Sequence, residues 1–142
     1  MYKRRIAILI FYNPHEEILL QHRDANASYY PGYWGFFGGG IEGNETPEEA
    51  VIREISEELQ IKLSNARLFK RYEIQEEDGL CERFVFLSPI KESLEVLKSK
   101  QQEGDDIGLF SLEATQLLKT VPTVKIIFDE VFDYIRKMEG NE

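Results

Sequence analysis

Three consecutive glycines, Gly38-Gly39-Gly40, are followed shortly by a helix whose start is explicit in the sequence. Thr46 is placed to cap it, Pro47 takes the first helical position, and Glu49 completes a capping box. On a helical wheel Val51, Ile52, Ile55 and Leu59 gather on one side, while Glu54, Glu57 and Glu58 share an arc of roughly 100° on another. One face therefore packs on a core while the acidic face points into a site. Like charges at these spacings destabilise a helix by roughly 0.2–0.5 kcal/mol per pair. A divalent cation removes that cost, and carboxylate oxygens suit Mg²⁺, Ca²⁺ or Mn²⁺. A solvated acidic face is the plain alternative, and the three glutamates alone do not exclude it.

The rest of the chain alternates strands with few helices. Residues 5–12 (RIAILIFY) read as a buried strand, Asn13 to Glu16 as a turn, and 17–22 as its hairpin partner. Residues 24–33 are rich in turn formers, and Trp34 to Phe37 read as a short aromatic strand leading into a glycine loop. Two strands, 68–74 and 83–87, flank a turn at Glu76-Glu77-Asp78-Gly79, and 107–110 reads as another strand. Ser111 caps a short helix over 112–118. Pro122 opens the last helix, whose stripe of Val124, Ile127, Val131, Tyr134, Ile135 and Met138 predicts core packing. Helices packed on a mixed sheet, an α/β class, follow from this order.

The spacing around the acidic helix is more specific than its charge. Five residues separate Gly39 from Glu45, and seven separate Glu45 from Arg53-Glu54; Ile55, a spacer, Glu57-Glu58, two more residues and Ile61 follow. This resembles the Nudix box, G-x5-E-x7-R-E-U-x-E-E-x-G-U with U apolar. The one mismatch is Gln60, where the family has glycine. The resemblance identifies the chain as a Nudix hydrolase of MutT-like type. It implies an α/β/α sandwich with a mixed β-sheet, and residues 1–142 are expected to form one such domain. Residues 91–102 are open: propensity favours a helix for KESLEVLKSK, whereas the resemblance favours a strand and loop.

For function, the resemblance implies a Mg²⁺-dependent pyrophosphohydrolase, with Mn²⁺ as the alternative ion. Its substrate is a nucleoside diphosphate linked to another moiety X, a nucleoside triphosphate or nucleotide derivative leading. Glu54, Glu57 and Glu58 are the expected metal ligands and catalytic carboxylates, with Glu54 the best candidate for the base, and the Gly38 carbonyl adds a ligand. Arg53 is expected to pair with Glu45 and orient the box, a support role rather than direct catalysis. Gly39 gives the loop close approach to helix and substrate. Glu103, in QQEGDD, is the candidate for a further ligand or base, with Asp105 and Asp106 as rivals. Arg23 matches a substrate-contacting arginine, and a solvated charge at a strand end is its alternative. A catalytically silent nucleotide-binding sensor is the second reading, disfavoured because the box keeps its carboxylates.

Charge narrows the partners. With 17 basic and 26 acidic residues the net charge is −9, which argues against a nucleic-acid polymer and for cations bridging protein and phosphates. The longest apolar run, 6–12, is too short to span a bilayer. A single cysteine, Cys81, forms no internal disulfide and fits a reducing cytoplasm. Monomer and homodimer both remain open. Tyr29, Tyr30, Tyr33, Trp34, Phe36 and Phe37 either stack on a base or form core around the box. Two further departures from the family pattern are Phe37 and Val124. Phe37 stands in place of a proline before the glycines, which changes the approach of the loop but leaves the metal ligands intact. Val124 stands where the MutT branch reads oxidised guanine with asparagine, which argues against selective 8-oxo-dGTP recognition.

Overall fold

Nine residues of apolar and basic character at the start of the chain organise everything else. The computed structural model describes residues 1–64 and 66–140, the last two as backbone only. Strand β1 (Arg4–Tyr12) pairs with β2 (Ile18–His22) near its end, with β4 (Phe37–Gly40) antiparallel along Ile6 to Leu9, and with β6 (Gly79–Pro89) in parallel over its whole length. β2 carries β3 (Trp34–Gly35) and β7 (Asp106–Phe110), and β5 (Arg67–Glu76) pairs with β6 at the far edge. The result is a mixed seven-stranded sheet.

Strand alternation sorts this sheet into two cores. Ala7, Leu9 and Phe11 of β1 face α1 (Pro47–Leu59) with Phe37, Val51, Ile55 and Leu59. Ile8 and Ile10 face the opposite way, toward α4 (Lys125–Gly140) with Val85, Leu87, Ile127, Val131 and Ile135. Helices on both sides of a mixed sheet give the α/β/α sandwich that the resemblance implied.

Several elements differ from the sequence reading. The glycine run is not a loop: Gly38, Gly39 and Gly40 are strand residues opposite Ile8, Ala7 and Ile6. Intrinsic propensity wins in the ambiguous segment, where α2 (Leu94–Lys100) forms behind a Ser93 cap. The short helix α3 (Leu112–Thr115) keeps its Ser111 cap but stops early, and a 3-10 turn, Pro122–Val124, precedes α4. Among the described residues no helix is long and apolar enough to cross a membrane.

Candidate active site

The capping box forms as the sequence spells it. Thr46 Oγ1 accepts from Glu49 N at 3.1 Å, and Glu49 Oε1 accepts from Thr46 N at 2.9 Å. This fixes where α1 starts and therefore which side chains meet β4. Glu58 is 2% exposed, and its Oε1 accepts from the Gly38 N–H at 2.9 Å. Glu54 lies against Gly39 so closely that a Cβ there would stand 2.5–2.6 Å from its carboxylate atoms. A strand without side chains is what allows the helix carboxylates to approach. At Gly38 the demand is greater: φ is 137°, and a Cβ would meet the Ala7 carbonyl oxygen at 2.1 Å.

Arg53 clamps the assembly. Its Nε and Nη2 donate to the two oxygens of Glu45 at 2.7 and 3.0 Å, Nη2 donates to the Gly40 carbonyl at 3.0 Å, and Nη1 donates to Glu54 at 2.9 Å. That bidentate bond, with a backbone N–H from Glu42, holds Glu45 down to a pKa of about 2. One guanidinium thus ties the segment before the helix, the helix and the glycine strand together, which is a positioning role.

The four acidic candidates are treated differently. Burial raises the pKa of Glu54 against the opposing pull of Arg53. Burial, then the charge of Glu103 beside it, pushes Glu58 up to about 9, and a hydrogen bond with the Glu103 carboxyl adds to this. Glu57 points outward, its side chain 60% exposed, with Arg53 3.6 Å away. The loop bearing Glu103 is docked on the helix end by Gln102 N donating to the Glu58 carbonyl at 2.8 Å. Of its rivals, Asp105 is bonded to His22 Nδ1 at 2.5 Å and Asp106 to the Ile107 N–H at 2.8 Å. The structure therefore brings Glu54, Glu58 and Glu103 together, keeps Glu57 within electrostatic reach of Glu54 although it turns to solvent, and leaves Asp105 and Asp106 bonded elsewhere.

An all-oxygen donor set of like charge, with Glu58 and Glu103 near enough for the charge of one to disfavour that of the other, is the chemistry that fits a hard divalent cation. Among the described residues no three acidic, His or Cys side chains are gathered closely enough to form a ready cage. Glu54 turns to Arg53, Glu58 to Gly38 and Glu57 to solvent, so ion binding there requires side-chain rotation.

A cleft of about 530 Å³ opens beside these carboxylates, with Glu54, Glu103 and the three glycines at one end. Arg23 lines it, its Nε bonded to the Tyr29 carbonyl at 2.7 Å. Tyr29, Tyr30, Tyr33, Trp34 and Phe36 also line it, and Phe37 borders it although its side chain is fully buried against α1. The sequence reading passed over Arg4 and Arg83 in the same cleft. Their signal was present: each sits in phase with core-facing residues, Arg4 with Ile6 and Ile8, Arg83 with Val85 and Leu87. Cys81 is buried beside Arg83, and burial raises its thiol pKa, which fits packing rather than nucleophilic attack.

Comparison with known proteins agrees with this geometry. The family model for the NUDIX domain matches residues 1–131. Mouse diphosphoinositol polyphosphate phosphohydrolase 3-alpha is 37% identical over 113 residues, covering 79% of this chain and 66% of that protein, just under two thirds of its length. The 8-oxo-dGTP diphosphatase of Escherichia coli K12 is 40% identical over 75 residues, covering 53% of this chain and 57% of that protein. The crystal structure of a MutT protein from Methanosarcina mazei Go1 superposes with a TM-score of 0.76 at 23% identity, covering 94% of this chain and 95% of the other, which shows a shared fold. With its box helix, glycine strand and arginine clamp in place, the chain belongs to the NUDIX domain family.

Proposed function

We propose that the protein is a divalent-metal-dependent pyrophosphohydrolase that cleaves a nucleoside diphosphate linked to a further moiety, with residues 1–142 acting as one catalytic domain. The observation that carries this reading is the approach of Glu54 and Glu58 to the side-chain-free strand Gly38–Gly40 at the end of a cleft lined with arginines. Glu54, Glu57, Glu58 and Glu103 would hold Mg²⁺ or Mn²⁺, with the Gly38 carbonyl as a further ligand. When bound, such an ion neutralises the diphosphate and makes a coordinated water more acidic.

The chain's own groups have separate tasks in this reaction. Glu54, partly desolvated and pointing into the cleft, accepts the proton of the attacking water at its carboxylate. Arg53 keeps that carboxylate aimed by holding it at 2.9 Å while fixing the helix to Glu45. Arg23 donates to phosphate oxygens from the cleft wall. The Gly39 backbone lets the diphosphate lie close to Glu54, since no Cβ intervenes.

The test is product release from a panel of nucleotides with Mg²⁺ or Mn²⁺, comparing wild type with Glu54→Gln and Glu57→Gln. Metal-dependent turnover that falls by about 10²–10⁴-fold in Glu54→Gln is the expected result. Intact nucleotide binding with no turnover of any panel member would instead favour a silent sensor.

A further inference from the structure

At the end of the cleft away from Glu54, two arginines share one carboxylate. Arg4 donates from Nη2 to both oxygens of Glu76, at 2.9 and 3.1 Å, and Arg83 Nη2 lies 3.2 Å from the same carboxylate. The side chains of Arg83 and Glu76 are only 6% and 3% exposed. Tyr30 donates to Glu76 at 3.3 Å, and the Arg4 guanidinium stacks 4.0 Å from the centre of the Tyr29 ring. The Nε atoms of Arg4 and Arg83 are buried and make no hydrogen bond among the described residues.

Two guanidiniums on one carboxylate leave a net positive charge in a nearly dry place. Such a charge is costly unless an anion compensates it. The net charge of the protein is −9, so this cationic end runs against its overall balance. Its position is set by strand register. Ile6 is opposite Gly40 on one side and Arg83 on the other, so Arg83 stands two strand spacings, roughly 10 Å, from the glycine strand. That backbone offset leaves room for a further group of the substrate between the glycine strand and the arginines.

We propose that Arg4 and Arg83 form a subsite for a second phosphate of the substrate, one carried on the sugar or other moiety remote from the scissile diphosphate. This rests on the pyrophosphohydrolase reading and narrows its substrate class to multiply phosphorylated compounds. The planar guanidinium fork matches a phosphate ester, and Glu76 with Tyr29 holds the forks in place before the ligand arrives. A neutral keto edge of a base also offers acceptors to an arginine, but it leaves the charge uncompensated.

The experiment uses ligands that differ by one phosphate. Calorimetric titration compares adenosine 3′,5′-bisphosphate, adenosine 2′,5′-bisphosphate and 5′-GMP with 5′-AMP, and turnover with Mg²⁺ compares coenzyme A with its 3′-dephospho form and NADPH with NADH. At least one bisphosphate is expected to bind about tenfold tighter than AMP or more. That ratio is expected to fall toward one in Arg83→Gln and to survive in part in Arg83→Lys, with thermal melts confirming that both variants are folded. Equal binding of AMP and both bisphosphates to wild type would overturn the subsite. So would a bisphosphate preference that persists in both Arg83→Gln and Arg4→Gln. A guanine-over-adenine preference that replaces the phosphate preference and disappears in Arg83→Gln would overturn it too, in favour of a base edge. Failure of the hydrolase reading looks different: no member of either pair and no member of the wider nucleotide panel is turned over with metal, whatever the binding ratios.

Discussion

Gln60 ends α1 in the left-handed region, at φ 55° and ψ 37°, with its N–H donating to the Ser56 carbonyl. A residue with a Cβ is strained there, and glycine is not. Gln60→Gly is therefore expected to stabilise the protein by about 0.5–1 kcal/mol after the entropy of a freer unfolded chain is counted, seen as a higher midpoint in thermal unfolding. The sequence showed this mismatch directly, because a glycine was expected at that position. It could not show that Glu58, one of three glutamates sharing an arc, is the one driven into the interior. That depends on the Gly38 N–H and Glu103 meeting it from other parts of the chain. The burial has a pH consequence. Burial and Glu103 raise the folded Glu58 carboxyl from 4.5 to about 9. Stability contributed by the protonated form is thus fully present below about 4.5 and is lost as pH rises toward 9. In metal-free protein Glu58→Gln, which stays neutral, is expected to match wild type near pH 4.5 and to exceed it increasingly up to pH 9. Denaturant melts at a series of pH values check this, and a constant difference would count against the burial of a protonated carboxyl.

β4 works as an element because it lacks side chains, but its glycines answer to different neighbours. At Gly38 a Cβ meets the backbone of β1, which cannot yield, at a φ of 137°. Gly38→Ala is expected to cost on the order of 3 kcal/mol in a denaturant melt, since strain and a broken strand pairing add. At Gly39 the Cβ meets only the carboxylate of Glu54, the end of a movable side chain. Gly39→Ala should leave the melt nearly unchanged and lower kcat by about 10²-fold, because the carboxylate is pushed off its aim. A melt as damaged as that of Gly38→Ala would show that Glu54 is not free to move. The box helix was legible to its caps because Thr46, Pro47 and Glu49 act locally. The glycine strand was not legible, since nothing local in three glycines favours a strand, and the pairing comes from Ile6 to Leu9 on β1. For α2 the local signal was the sounder guide, with Ser93 as cap and Lys98 and Lys100 in the last turn.

At the scale of the whole molecule, Glu76 joins β5 to the start of β1 and to β6 through Arg4 and Arg83. Burial pushes its pKa up, but Arg83, Arg4 and the Cys81 thiol outweigh this and hold it below the usual carboxylate range. Removing one member of such a buried group strands the others. Glu76→Ala is expected to lose about 3–5 kcal/mol by chemical denaturation, and Glu76→Gln less. The core was readable in the sequence because apolar residues recur with the periods of strand and helix. The cationic end of the cleft was not, because residues from positions 4, 76 and 83 meet only when the parallel pairing of β1 with β6 is added to the β5–β6 hairpin. That pairing also imposes an order on synthesis. Arg4 is matched with Cys81 and Tyr12 with Pro89, so the most apolar strand of the chain is made almost eighty residues before its parallel partner. At roughly 5–20 residues per second, β1 waits on the order of four to fifteen seconds on the ribosome with that edge unpaired. A nascent chain stalled before Gly79 therefore presents a sticky, unsatisfied strand, and chaperones that hold extended apolar segments have their longest opportunity on this protein in that interval.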